Sequence, residues 1–425
     1  MCPNRDKYDT LVDMSSALTF EIHQRLDGAL ARTGTMSTPH GTIETPAFIP
    51  VGTKATLKSL TPEQLEAVGA QAVLANAYHL YLRPGPEILD QAGGLNAFMN
   101  WKKPTFTDSG GFQVMSLGVG FKKVIDMDGS TAEKPLPKKD KLAWIDNDGV
   151  VFKSHLDGSR HRFTPEVSMQ IQHQIGADIT FAFDELTTLH HSYEYQVESL
   201  NERTHPWAVR SLAEHKRLNE ERSHRPPQAL FGVVQGANYE DLRRQSSRFL
   251  GDMDFDGFGL GGALTKNNIG EIVKWMCEEL PEDKPRHMLG ISEPDDIFAC
   301  IENGADTFDC VSPARVGRNG ALYTRNGRVN ITNAKYRSDF LPFDETCDCY
   351  TCQNYSRAYL HHLFKGDELL SNTLATIHNE RFIIRLVDDI RASISDGSFY
   401  DFKADFLARY YAKKLVASDA MVEQR

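Results

Sequence analysis

Three stretches of this chain repeat one phrase: an amphipathic run, a Gly, a small residue, then an apolar β-rich run that stops at a polar residue. They are EQLEAVGAQAVLAN, SMQIQHQIGADITFAFDE and IFACIENGADTFDCV. The Gly suits a helix C′ position, and the uninterrupted apolar run behind it suits a strand buried on both faces. Runs of this kind occur eight times, as FIPVG, AVLAN, TFTD, ITFAFDE, LFGVVQG, GFGLGG, HMLGI and TFDCV. Eight buried strands alternating with helices predict an α/β fold, a closed (β/α)₈ TIM barrel, with a doubly wound open sheet as the competitor. The nucleotide fingerprint of the open sheet is missing, because GFGLGG leads into Ala-Leu-Thr and comes too late to open a first βαβ unit. Helix starts agree: Thr61-Pro62-Glu63-Gln64 reads as a capping box with Pro at the first helical position, and Thr164-Pro165-Glu166 offers the same chemistry.

In a barrel the C-terminal strand ends converge on one face. Taken in order they are Val51-Gly52, Asn76, Asp108, Asp184-Glu185, Gln235-Gly236, Gly261-Gly262, Gly290 and Asp309. An Asp at a strand end ordinarily caps the next helix, and for any one of Asp108, Asp184 and Asp309 that reading suffices. Three on one face fit glycosidic chemistry. One ionised acid attacks the anomeric carbon while another moves protons, through a covalent intermediate and with overall retention. Gln235, both donor and acceptor, and the glycine-flanked backbone of GLGG are suited to reading the edge of a flat heterocycle.

The chain divides into an N-terminal extension with hairpin strands (1–45), the barrel (46–340) and a C-terminal region (341–425) with a cysteine cluster and long helices. Residues 118–146, charged and punctuated by Gly and Pro, form an insertion expected to be a surface loop. No apolar run is long enough to span a bilayer and the N-terminus lacks the apolar core of a signal peptide, so a cytoplasmic protein is expected. A net charge of −11 excludes wholesale coating of nucleic acid but leaves room for a local patch. Such a patch runs from Cys310 to Ser338, with Arg315, Arg318, Arg325, Arg328, Lys335 and Arg337 and no acid; a solvated basic loop is the plainer reading.

Of seven cysteines, Cys347, Cys349 and Cys352 crowd into CDCYTC. Three thiolates at that spacing can face one ion, with a fourth ligand from elsewhere; His361, His362 and His378 all follow on helical sequence. Three Cys and one His make a closed tetrahedral zinc site, which leaves no position for water and so holds structure only. A disulfide with a spare thiol is the alternative.

The motifs FTDSGGFQVMSLG, FKSHLDGSRH, FAFDE, GVVQG, FDGFGLGG, LGISEPDD, FDCVSPARVGRNG and CDCYTCQNYSRAYLHHL closely resemble those of the tRNA-guanine transglycosylases, also called queuine tRNA-ribosyltransferases, of bacterial type. The likeness runs from about residue 20 to 415. It implies excision of guanine from the wobble position of tRNAs with GUN anticodons and insertion of a 7-deazaguanine, either the aminomethyl precursor or queuine, in queuosine biosynthesis. Carried over residue by residue, it makes Asp309 the nucleophile and Asp108 the proton acceptor and donor. It places Ser109, Gly110, Gly111 and Phe112 around the base, Phe112 standing where many relatives have Tyr; a ring face is what stacking requires. Asp184, Gln235, Gly261 and Gly262 would meet the purine-like edge.

The resemblance further implies that Gly290, Ile291, Ser292, Glu293, Pro294, Asp295 and Asp296, with Ala314, Arg315, Val316, Gly317 and Arg318, contact tRNA. It selects His378 beside Cys347, Cys349 and Cys352 for one structural zinc per subunit, and implies a homodimer. Leu186 stands where many enzymes that use the aminomethyl precursor have Cys, TTLHHSYEY replaces a Pro-rich turn, and GGAL stands for GGLA. These departures touch the pocket or its rim and leave the incoming base open. The alternative to an enzyme is a non-catalytic tRNA-binding subunit; the presence of both acids opposes it.

Overall fold

The computed structural model describes residues 16–119 and 142–422. Three antiparallel strands come first, β1 (Thr19–Arg25), β2 (Arg32–Thr38) and β3 (Gly41–Thr45). The barrel strands are β4 (Ala47–Pro50), β5 (Val73–Ala75), β6 (Thr105–Thr107), β10 (Ile179–Phe181), β11 (Ala229–Val234), β12 (Gly257–Leu260), β13 (Arg286–Met288) and β14 (Thr307–Cys310). Between β6 and β10 lies a second antiparallel sheet, β7 (Ala143–Asp146), β8 (Gly149–Lys153) and β9 (Arg160–Phe163). Around the barrel the eight strands neighbour one another in chain order and run parallel. The seam between β4 and β5 is closed by a parallel bridge from Val51 to Leu74, with the Gly52 N–H donating to the Leu74 carbonyl at 2.7 Å. Consecutive order with closure is the (β/α)₈ barrel; an open doubly wound sheet would reverse direction midway.

Side-chain parity decides what enters the barrel. Ala47, Ile49 and Val51, Leu74, Phe106, Ile179 and Phe181, and Ala229, Phe231 and Val233 form one buried interior cluster. The alternate residues, among them Phe48, Val73, Leu230, Val234, Phe258 and Leu260, join the cluster shared with the surrounding helices. This is the period of two expected of strands packed on both faces. β12 turns glycines inward: a Cβ on Gly257 would lie 2.5 Å from the Phe231 ring and one on Gly259 would lie 3.1 Å from Phe181. The two phenyl rings occupy the room β12 leaves empty.

Met36 and Ile43 of the β2–β3 hairpin belong to the interior cluster and seal the barrel at the N-terminal ends of its strands. A buried ion pair ties that sheet in place. Arg32 donates from Nε and Nη2 to the Asp306 carboxylate at 2.9 and 2.8 Å, and Asp306 also accepts from the Arg286 N–H at 2.8 Å. Arg32→Met would strand a buried carboxylate, so a loss of about 3–5 kcal/mol is expected in denaturant unfolding; a loss below 1 kcal/mol would show that the clamp is dispensable.

The described residues omit 120–141, so most of the expected 118–146 insertion lies outside them. Its end is not the surface loop expected: residues 143–146 are strand β7. Asp146 closes a turn onto β8 by accepting from the N–H groups of Asp148 and Gly149 at 2.9 and 3.0 Å, an Asx turn that fixes the hairpin register. After β14 follow the helix Ser312–Arg318, the small hairpin β15 (Ala321–Leu322) and β16 (Val329–Asn330), and the long helix Leu370–Asp396, which packs on β4 and on Ser312–Arg318. Among the described residues no helix is long and apolar enough to cross a membrane.

Candidate active site

The same parity carries chemistry to the mouth. Beyond inward Phe106 comes Asp108, beyond Val233 comes Gln235, beyond Gly259 comes Gly261, and beyond Thr307 comes Asp309. In β10 the alternation slips by one. Ala182 N–H still pairs with Phe231, but Phe183 turns outward to stack on Trp207 with ring centroids 5.1 Å apart. The slip sends Asp184 inward and Glu185 outward, where Glu185 is buried against Arg203 and accepts from the Tyr195 hydroxyl at 2.7 Å. Of the adjacent acids, Asp184 faces the mouth and Glu185 braces the loop behind it.

Asp108 accepts three hydrogen bonds: from Asn76 Nδ2 at 2.5 Å, the Ala77 N–H at 2.8 Å and Gln113 Nε2 at 2.9 Å. These donors favour its charged form, yet burial, aided by the negative charge of Asp309, raises its pKa above the ordinary carboxylate value. Asp309 is held differently. Its Oδ1 lies 3.1 Å from His287 Nε2 and accepts from the Gly290 N–H at 3.1 Å. His287 is fully buried between Phe106 and Phe181, ring centroids 5.4 and 5.3 Å away, and its Nδ1 lies 2.8 Å from the Thr307 hydroxyl. Asp309 thus rests by one oxygen on a floor of aromatic rings.

Asp184 accepts from Gln235 Nε2 at 2.6 Å. Burial, with smaller contributions from the charges of Glu185 and Asp108, pushes its pKa up to about 6. Gly262, at φ +88°, is where a side chain would be strained, and a Cβ there would lie 2.4 Å from Gln235 Oε1 unless that side chain moved. Gly110 and Gly111 have their Cβ directions filled by protein, by the Phe163 ring at 3.0 Å and the Asp184 carbonyl at 3.2 Å. Their smallness packs the loop, so any contact they make with a base is through backbone. Ser109 is buried beside them, its Oγ accepting from the Gly111 N–H at 3.3 Å, and Phe112 is partly exposed.

The segments expected at RNA lie on one side of this mouth. Gly290 to Glu293 lead into the helix Pro294–Glu302, and Ala314 to Arg318 occupy the helix Ser312–Arg318. Ile291, Ser292, Pro294, Asp296, Ala314 and Gly317 are buried, and Arg315 is exposed. The acids of this segment are matched by neighbours. Glu293 pairs with Arg328, Asp295 accepts from the Tyr411 hydroxyl at 2.6 Å, and Lys266 lies 3.4 and 3.5 Å from Asp295 and Asp296. The basic stretch is accordingly not six free cations, since Arg328 is committed to Glu293 and lies over the Tyr323 ring at 5.3 Å.

Cys347, Cys349, Cys352 and His378 are all buried, with their ligand atoms within 4.8 Å of one another. None of the described cysteines is in a disulfide. His378 Nδ1 lies 3.6 Å from Cys349 Sγ and 3.3 Å from Cys352 Sγ; tetrahedral zinc bonds would put such atoms roughly 3.5 Å apart. The other ring nitrogen, Nε2, sits 2.7 Å from the Tyr323 carbonyl, the outer partner that fixes a ligating imidazole. His361 is spent elsewhere, with Nδ1 2.9 Å from the Ile331 carbonyl. The donor set fits a structural metal.

Two partners of the acids escaped the sequence reading. Gln113 reaches Asp108 from the first turn of the next helix, five residues on. His287 was readable only by parity, as the inward residue of β13 one layer below Asp309.

Carboxylates gathered at the C-terminal mouth of a (β/α)₈ barrel, in a chain whose C-terminal region also holds a buried cluster of three Cys and one His, define the class of barrel enzymes with acidic mouths. The family model described as Queuine tRNA-ribosyltransferase matches residues 27–412. Proteins named Queuine tRNA-ribosyltransferase match at similar length: one from Thermoanaerobacter pseudethanolicus is 46% identical over 94% of this chain and 99% of its own. One from Herpetosiphon aurantiacus is 47% identical over 89% of this chain and 90% of its own, and one from Lactococcus lactis is 45% identical over 93% and 96%. The chain belongs to the queuine tRNA-ribosyltransferase family, and is thus a pentosyltransferase of the tRNA-guanine transglycosylase kind.

Proposed function

We propose that this enzyme exchanges guanine at the wobble position of GUN-anticodon tRNAs for a 7-deazaguanine through a glycosyl ester on Asp309. The observation that carries the reading is the unequal treatment of two acids at one mouth. Asp309, seated on His287 and the Gly290 N–H, offers a fixed carboxylate oxygen, while Asp108, raised by burial, is suited to hold and pass a proton. The Asp309 oxygen bonds to ribose C1′ as the bond to N9 breaks, and guanine leaves with a proton from Asp108. The incoming base then returns its N9 proton to Asp108 while its nitrogen displaces Asp309. Two inversions at one carbon give retention.

Asp184 and Gln235 take the donors of the base edge, the Gly262 N–H takes its carbonyl, and Phe112 stacks on its face. A base under attack must leave its stack, so Arg315 and Arg318 hold phosphates while the pocket holds the extruded nucleotide. The Cys347, Cys349, Cys352 and His378 cluster holds zinc, which braces the helices that present those arginines. A homodimer, in which a second copy orients the tRNA, belongs to the same proposal and rests on the resemblance.

The test is incorporation of labelled guanine into a GUN tRNA by the pure protein, followed by competition with the aminomethyl precursor and with queuine. Incorporation confined to tRNAs with a wobble G is expected. Intact tRNA binding with no incorporation would instead make the chain a non-catalytic subunit.

Asp184 sets the acid limb. Its pKa is raised, so the folded state holds this proton more tightly than the unfolded chain. Ionised Asp184 costs stability that is lost progressively as pH rises from 3.8 towards about 6. Base recognition needs the ionised acceptor, so kcat/KM for guanine is expected to fall about tenfold per pH unit below about 6. Initial rates across the acid range check this; a flat profile there would remove Asp184 from base recognition.

A further inference from the structure

Behind the Gly261–Gly262 wall lies a guanidinium that the reaction above does not use. Arg243, on the helix Glu240–Gly251, is fully buried and, among the described residues, binds no carboxylate. Its Nε donates to the Ala237 carbonyl at 2.8 Å, and its Nη1 donates to the carbonyls of Val234 at 3.2 Å and Gly261 at 2.6 Å, with Met276 Sδ 3.5 Å away. Burial pulls its pKa down to about 9. A cation satisfied only by carbonyls is costly to keep in a core.

The shortest of these bonds has a geometric consequence. The Gly261 carbonyl and the Gly262 N–H belong to one peptide unit, which is trans. In a trans unit the two groups point in opposite directions. A guanidinium gripping the carbonyl from the outer helix therefore directs the N–H away from that helix, towards the mouth. Among the described residues no protein acceptor takes that N–H. Donation to the carbonyl also polarises the whole amide, strengthening its N–H as a donor. Two further atoms converge here: Gln235 Oε1 and Arg243 Nη2 are buried without hydrogen-bond partners, and they lie 2.4 and 3.1 Å from where a Cβ on Gly262 would be.

We propose that Arg243 is a positioning residue for base selection: by holding the Gly261 carbonyl it presents the Gly262 N–H to the ring carbonyl of a 6-oxopurine, and so favours bases that carry that carbonyl. The inference rests on the base-exchange reading above. Its probes are guanine and 2-aminopurine, which lacks the carbonyl, each titrated into the full-length protein without tRNA. Arg243→Met is expected to weaken guanine tenfold or more and 2-aminopurine less than twofold, because only one of them loses a prepared donor. Arg243→Lys, which keeps a cationic donor on a shorter reach, is expected to recover much of the guanine affinity.

Equal losses for both bases would mean that Arg243 merely supports the fold, and an undiminished guanine affinity would mean that it does nothing for the pocket; either overturns the proposal. Should Arg243→Met not fold, Arg243→Lys alone decides: a loss confined to guanine sustains the proposal, and equal losses or none overturn it. Wild-type protein that binds both bases alike also overturns it. Wild-type protein that binds neither defeats the base-exchange reading and this inference with it.

Discussion

Asp309→Ala is expected to lower guanine exchange by roughly 10⁴-fold or more and to abolish the adduct between protein and tRNA that survives denaturation. The mutation removes the oxygen proposed to bond the sugar while sparing the surrounding frame, since Asp309 lies at the rim of the barrel and His287 keeps its contact with Thr307 and its place between Phe106 and Phe181. tRNA affinity is expected to stay within about threefold, because the arginines proposed to hold phosphates are on a different element. Asp309→Asn sharpens the test, since its side-chain oxygen can still accept from the Gly290 N–H yet is a poor nucleophile. An adduct that persists in either variant would place the covalent bond elsewhere, with Asp108 the next acid to examine.

The second large effect is on folding. Cys352→Ala, or removal of the metal by a chelator, is expected to melt the C-terminal region, because a structural zinc centre contributes on the order of 10 kcal/mol of binding free energy that is available only to the folded chain. The damage should spread in a set order. His378 sits in the helix Leu370–Asp396, and its neighbour Asn379 donates to the carbonyls of Pro313 and Ala321, both at 3.0 Å, and accepts from the Tyr323 N–H at 3.1 Å. Freeing that helix loosens the one that carries Arg315 and Arg318, so tRNA affinity should fall before guanine affinity does. Limited proteolysis with paired tRNA and guanine titrations checks this. A well-folded Cys352→Ala protein that is merely slow would refute a structural role for the metal.

The barrel was legible because its strands are buried on both faces and so read as apolar runs, three of them preceded by a helix that ends at a glycine. Asp108, Gln235 and Asp309 follow from the same fact, since strand ends in a closed barrel have nowhere to point but one opening. Other features are invisible to periodicity. Nothing in FAFDE shows that Phe183 turns outward onto Trp207, and that single slip decides which of Asp184 and Glu185 faces the mouth. The β7 strand was hidden by the charged segment before it, although Asp-Asn-Asp-Gly marks its turn. The three cysteines are evident from spacing, but the choice of His378 over His361 depends on how a helix lies against β15, which is tertiary information. Arg243 and Arg244 stand side by side in the sequence with nothing to tell them apart, yet only Arg243 is buried.

The hairpin that stoppers the barrel with Met36 and Ile43 fills the N-terminal end of the interior, so among the described residues the barrel is open towards its C-terminal mouth. Nucleic acid, departing guanine and arriving base must all share it. In the proposed exchange the outgoing purine would leave past a ribose esterified to Asp309, and the newcomer would arrive by the same mouth. Traffic of small molecules around a seated tRNA, governed by the rim that includes Leu186 and the loop after it, is therefore a natural bottleneck for turnover.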